Sequence, residues 1–157
     1  VSVSKFLRST NAAFAYTAAR SGVGSVDFAL EEVIGYRARI SGASNLQYII
    51  VGSDDPSFAV SLIVAGQAVP EGGNSLNGRN DIAYKYHATA VTASQLKNEI
   101  GSQCTSVAKF LASNNGAFAY TAAPSGVGSV DFPLVPGESY RVRVTGLSNV
   151  AYVASHY

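Results

Sequence analysis

Residues Lys5–Ser53 and Lys109–Tyr157 are two copies of one segment, aligned at a constant offset of 104 without a gap and identical at 28 of 49 positions. The first half is nearly invariant: KFLRSTNAAFAYTAARSGVGSVDF from Lys5 against KFLASNNGAFAYTAAPSGVGSVDF from Lys109. The later part drifts, yet Tyr36-Arg37-Ala38-Arg39 and Tyr140-Arg141-Val142-Arg143 keep the tyrosine and both arginines. Chance does not produce this match, so the chain contains a duplication, and its fold is sought for the repeated unit first. Ile82-Ala83-Tyr84-Lys85-Tyr86-His87 faintly echoes Ile34 to Arg39. A decayed third copy would suggest a three-fold design such as a β-trefoil. The spacing needs insertions, so a two-copy design is the preferred reading.

Each copy reads as five short strands. Tyr36, Ala38 and Ile40 alternate with Arg37, Arg39 and Ser41, and Tyr140, Val142 and Val144 alternate with Arg141, Arg143 and Thr145. Period two sends one set to a core and the other to water or an interface. Val26, Phe28 and Leu30 are expected to face in around Asp27, and Val130, Phe132 and Leu134 around Asp131. Small alanines beside Phe14 and Tyr16, and beside Phe118 and Tyr120, suit interlocking sheets. Ser21–Ser25 and Ser125–Ser129 read as glycine turns, and Pro136-Gly137 as another.

Two nearly continuous apolar runs, Leu46–Val51 and Phe58–Val64, must be central strands or edges covered by another subunit, since exposed they would aggregate. Asp54-Asp55-Pro56 separates them, and Glu71–Asn80 reads as an exposed, mobile excursion. One short helix is expected, capped by Thr92 and Gln95, with Leu96 and Ile100 on one face and Gly101 at its end. The expected architecture is all-β: two related small β-sandwich, jelly-roll-like units joined by that helix. The first spans residues 1–98, with a long middle insertion, and the second 99–157. Copy two then lacks the partner strands that the middle would give copy one, and takes them from copy one or from another chain.

Composition bounds function. Charged residues make up 13% of the chain and hydrophobic ones 47%, with a formal net charge of +1. No strong field points to nucleic acid or an anionic membrane. So little charge suits a protein packed against copies of itself or a partner. A lone cysteine, Cys104, excludes an internal disulfide, and the apolar runs are too short to span a bilayer. The opening at Val1 carries no charged-then-apolar leader and fits either a removed initiator or a trimmed precursor.

Candidate sites are few. The GVGS loops lack the following helix and lysine of a phosphate cradle. His87, His156, Cys104, Asp54 and Asp55 show no metal-ligand spacing, and a Cys104–His87 dyad would have to assemble in space. No acid, base or nucleophile set recurs in both copies, so no catalytic residue, metal or cofactor is expected and the chain does not read as an enzyme. The best interface candidates are Arg37, Arg39, Arg141 and Arg143 with Asp27 and Asp131. They form either cross-strand ion pairs or guanidinium forks for a neighbouring subunit's carboxylates. The nine tyrosines are explained first by packing, with sugar binding as the alternative use.

Copy two reads N-N-G-A-F-A-Y from Asn114, S-V-D-F-P-L-V-P-G-E-S-Y from Ser129 and S-N-V-A-Y-V-A-S from Ser148. This order resembles small tailed-phage virion proteins of the capsid cement or decoration type. The resemblance covers both copies and skips the middle. Copy one departs from it, with Ala29 and Glu31-Glu32 where copy two has Pro133 and Val135-Pro136. It implies a compact β-sandwich without catalytic residues, which stabilises a phage head by protein–protein contacts. The implied partners are the major capsid protein or other virion subunits. The implied setting is the virion surface after assembly in the host cytoplasm, with the chain itself a homo-oligomer. A carbohydrate-binding or adhesive module and a surface-fibre subunit are the alternatives.

Overall fold

The computed structural model describes residues 2–17, 28–31, 34–40, 42, 55–111, 116–121 and 130–157. Among them lie nine strands and one helix. Repeat one supplies β1 (Ser2–Leu7), β2 (Ala12–Thr17) and β3 (Tyr36–Arg39). The middle supplies β4 (Val60–Leu62), β5 (Arg79–Ala83) and α1 (Ala93–Ile100). Repeat two supplies β6 (Cys104–Leu111), β7 (Gly116–Thr121), β8 (Ser139–Val144) and β9 (Val150–Tyr152). The chain is therefore an all-β domain with one short helix and several small antiparallel sheets, ordered β2-β1-β3, β4-β9 and β5-β8-β6-β7.

The duplication is visible in the hydrogen-bond register. Lys5 lies opposite Phe14 on one side and Tyr36 on the other, and Lys109 lies opposite Phe118 and Tyr140, each position displaced by the same 104 residues. Smaller features repeat as well. Phe28 stacks on Tyr36 and Phe132 on Tyr140, with centroids 5.9 and 6.0 Å apart. The Tyr36 hydroxyl accepts the Glu31 N–H at 2.6 Å, and the Tyr140 hydroxyl accepts the Val135 N–H at 2.7 Å. Each tyrosine thus pins the chain that leads into its own strand.

The middle segment joins repeat two. β5 pairs with β8, placing Ile82 opposite Tyr140 and Asp81 opposite Arg141, while β4 pairs with β9. Buried Asn80 closes this layer: its carboxamide accepts the Ile63 N–H and donates to the carbonyls of Ile63 and Gly78. Gly78 is required there, because a Cβ would lie 2.1 Å from the Val144 carbonyl oxygen. Helix α1 forms as its sequence dictates. Thr92 and Gln95 exchange both bonds of a capping box, Gly101 ends the helix at φ 101°, and Ala93, Leu96 and Ile100 are buried. Among the described residues one core results, built from β4, β5, α1 and the strands β6, β8 and β9 around Leu62, Leu96, Val107, Tyr140, Val142 and Val144.

Three expectations are corrected. Among the described residues the middle's strands pair with copy two, β4 with β9 and β5 with β8, and its apolar run and helix pack into that core, while it meets copy one at the Ile34–Ile82 bridge and the Arg8–Glu71 pair. The excursion from Glu71 to Asn80 is pinned rather than free: Ser75 and Asn80 are buried, Asn80 belongs to β5, and Glu71 is clamped by Arg8. Val130 and Leu30 do not face a core, being 48% and 75% exposed, while Phe132 and Leu134 do. Pro136-Gly137 turns as expected, with Gly137 at φ 83° and the Glu138 N–H bonded to the Val135 carbonyl. The expected strand Leu46–Val51, both GVGS turns, Asp27 and Asp54 lie outside the described residues.

Candidate functional site

Where period-two alternation turns Tyr140, Val142 and Val144 into the core, it turns Arg141 and Arg143 to the opposite face of β8. The same logic turns Arg37 and Arg39 away from the face that bears Tyr36 and Ala38. The two arginine-bearing faces meet each other. The Arg37 guanidinium sits over the Phe110 ring at 3.8 Å, and Arg141 sits over Phe6 at 4.1 Å. Residues 37 and 141 are equivalent, as are 6 and 110, so the contact is reciprocal: each repeat lays its arginine on the other's phenylalanine. Gly35 and Ser139, also equivalent, meet so closely that a Cβ on Gly35 would lie 1.8 Å from the Ser139 Oγ. Between the repeats lies an open cleft of about 560 Å³ lined by these groups with Ser4 and Asp81.

The contact is reciprocal in shape but unequal in charge. Arg141 is held in a bidentate pair by Asp81, Nε to Oδ1 at 2.7 Å and Nη2 to Oδ2 at 2.9 Å. Arg143 donates to the Asn77 carbonyl at 3.2 Å. Among the described residues, no carboxylate lies within ion-pair distance of Arg37 or Arg39. Asp131 serves neither arginine pair; it caps the helix, accepting the Ser94 N–H at 2.9 Å and the Ser94 hydroxyl at 2.6 Å. Burial works to raise its pKa, but these hydrogen bonds outweigh it and hold the carboxyl below its ordinary value.

The other sequence candidates are not brought together. The Cys104 thiol is buried against the Ser106 carbonyl, and burial pushes its pKa up to about 11, away from nucleophilic thiolate. His87 is exposed, its ring edge-on to Tyr157 at 5.7 Å. His156 pairs as an isolated bridge with Ala88. Asp55 closes its own turn by accepting from the Ser57 N–H and hydroxyl. Among the described residues, no group of three or more His, Cys, Asp or Glu side chains could hold a metal, and no helix is long and apolar enough to cross a membrane.

Sequence reasoning singled out the arginines but missed Phe6, Phe110, Asp81 and the Gly35–Ser139 contact. The signal existed: Phe6 and Phe110 survive in both copies on the strand face opposite Lys5 and Lys109. What it lacked was the other half of the contact, since the partner of each repeat's polar face is the other repeat.

A second site is the outer face of repeat one. Among the described residues, the positions whose counterparts lie in the repeat-two core are Val3, Phe28 and Tyr36, half-buried, and Leu30, Ala38 and Ile40, exposed. Leu30 is 75% exposed where Leu134 is 8%, and Ile40 is 45% exposed where Val144 is fully buried. β3 is the edge of its sheet, and no described strand pairs with its outer side, where β8 has β5. Compared with protein-family models, with curated proteins and with solved structures, the chain matches none of them.

Proposed function

We propose that this chain is a non-enzymatic structural module that acts by burying protein surface against a neighbour, with the outer face of repeat one as its docking surface. The supporting observation is the asymmetry between two sheets of matching register: among the described residues, Leu134, Val142 and Val144 are buried where Leu30, Ala38 and Ile40 are exposed. Covering Leu30 and Ile40 as their counterparts are covered is worth roughly 2–4 kcal/mol of apolar burial. An open strand edge adds backbone bonds. A cement or decoration role on a tailed-phage head is the specific form we favour, two related β-sandwich units adding contact area across capsid joints. It draws on the likeness of repeat two to such proteins and on a low charge that suits a permanently packed surface.

Sedimentation with purified heads of the encoding phage tests it. The chain should travel with the heads, and Leu30→Glu with Ile40→Glu should release it without lowering its own stability. A chain absent from virions, or binding unchanged by both substitutions, refutes the reading. A second reading, a carbohydrate-binding module, is favoured by one observation. Tyr86 and Tyr157 are 69% and 84% exposed and flank His87, giving aromatic faces beside polar groups. Saturable glycan-array binding, lost in Tyr157→Ala, would support it.

A further inference from the structure

Among the described residues, two sheets of one design share a single covering segment. On repeat two that segment does three things. β5 hydrogen-bonds along the outer edge of β8, with the Val144 N–H donating to the Gly78 carbonyl. Its Asp81 sits opposite Arg141 and binds it at both oxygens. Leu62 of β4 and Leu96 of α1 lie in the core with Tyr140 and Val144. Among the described residues, repeat one carries the matching half of each interaction: an outer edge of β3 with no strand on it, Arg37 without a carboxylate, and exposed Ile40 and Leu30.

The comparison of the two arginines sharpens this. Arg141 stacks on Phe6 and is bound by Asp81 at the same time, whereas Arg37 stacks on Phe110 alone. Arg37 can therefore keep its stack and still accept an opposing carboxylate. Among the described residues, the chain's own β5 meets the segment leading into β3 at Ile34 and Gly35, where the Gly35 N–H donates to the Asp81 carbonyl, and no described strand pairs with β3 itself on that side.

We propose that the outer edge and apolar face of repeat one receive a strand–strand–helix segment patterned like residues 58–100, supplied by a partner polypeptide that sets an aspartate opposite Arg37. This rests on reading that face as the docking surface and specifies what docks there. A second copy of the chain is a poor donor. Its one covering segment already holds its own repeat two, and exchange between copies still leaves one bare sheet per chain. The partner carries the segment in surplus. Recognition is then strand addition with apolar side chains inserted behind it.

The test uses the full chain and, as probe, a separate polypeptide of residues 55–104. Hydrogen exchange of the Tyr36–Ile40 amides should slow at least tenfold at saturating probe, in a one-to-one complex. A probe carrying Asp81→Asn and Leu62→Asp should give no protection. To guard against collapse of the isolated probe, the same segment is also fused directly ahead of Val1, where Cys104 meets Val1 as it meets Thr105 in the second repeat. The fused chain should show the same protection within a single polypeptide, independent of protein concentration. No protection in either format overturns the inference. Protection of Tyr36–Ile40 in the full chain alone, through self-association that the probe does not displace, makes a second copy the occupant. That overturns this inference and leaves the docking surface standing.

Discussion

Gly35→Ala is expected to destabilise the chain, and Ser139→Gly to remove most of that cost. A Cβ on Gly35 would sit 1.8 Å from the Ser139 Oγ, 2.8 Å from the Ser139 Cβ and 3.3 Å from the Ile82 carbonyl oxygen. The hydroxyl can rotate away, but the Ser139 Cβ is fixed to its strand, so β3 and β8 must part by most of an ångström. Overpacking of that kind costs about 1–3 kcal/mol. Losing glycine's freedom in the unfolded chain returns about 0.4–1 kcal/mol. The net cost of the single variant is then about 1–2 kcal/mol. With Ser139→Gly in place, the Ile82 carbonyl oxygen at 3.3 Å is what remains of the three nearest atoms, and Gly35→Ala becomes neutral or slightly stabilising. Urea unfolding of the four proteins yields a coupling energy of about 1–3 kcal/mol, above the roughly 0.5 kcal/mol scatter of independent sites. If Gly35→Ala costs the same in both backgrounds, the repeats do not touch as described.

Other expectations concern single contacts. Arg8 and Glu71, with side chains 12% and 13% exposed, tie repeat one to the middle, and Arg8→Ala should cost about 1–3 kcal/mol in denaturant unfolding. Burial alone would raise the Glu71 pKa, but bonds from Arg8 hold it below the ordinary 4.5. Its contribution is therefore present above about pH 4.5 and lost as pH falls through the lower folded value, so Glu71→Gln should flatten the acid limb of a stability–pH curve. Asp131→Ala removes two bonds at the start of α1 and should cost about 1 kcal/mol, read by thermal melting. Cys104 should resist a thiol reagent at pH 8 in the native chain and react at once in denaturant, and fast native labelling would contradict its burial.

Local signals read cleanly from sequence, and partnership did not. The T-x-x-Q pair and following glycine fixed α1 to the residue, because capping chemistry is decided within a few positions. Alternation in the arginine strands placed Tyr140 and Val142 correctly, because the pleat leaves no other choice. The same alternation gave Tyr36, Ala38 and Ile40 an inward face, yet Ala38 and Ile40 lie open, as does Leu30. Pattern reports which side is apolar; only a covering layer makes it a core. Which repeat the middle would cover depended on long-range strand pairing, to which sequence spacing is blind: β4 reaches across some ninety residues to β9. The reciprocal Arg–Phe contact was hidden for the same reason, although each of its four residues stands in both copies.

Paired truncation at one repeat position addresses the asymmetry itself. Leu134→Ala and Leu30→Ala remove the same atoms from equivalent sites, 8% and 75% exposed, and unfolding of the two variants in urea compares them directly. A covered sheet in repeat two and a bare one in repeat one predict a loss of about 2–4 kcal/mol for Leu134→Ala, and less than about 0.5 kcal/mol for Leu30→Ala. Equal losses would mean that both sheets are already covered in the isolated chain, and the docking face would not exist.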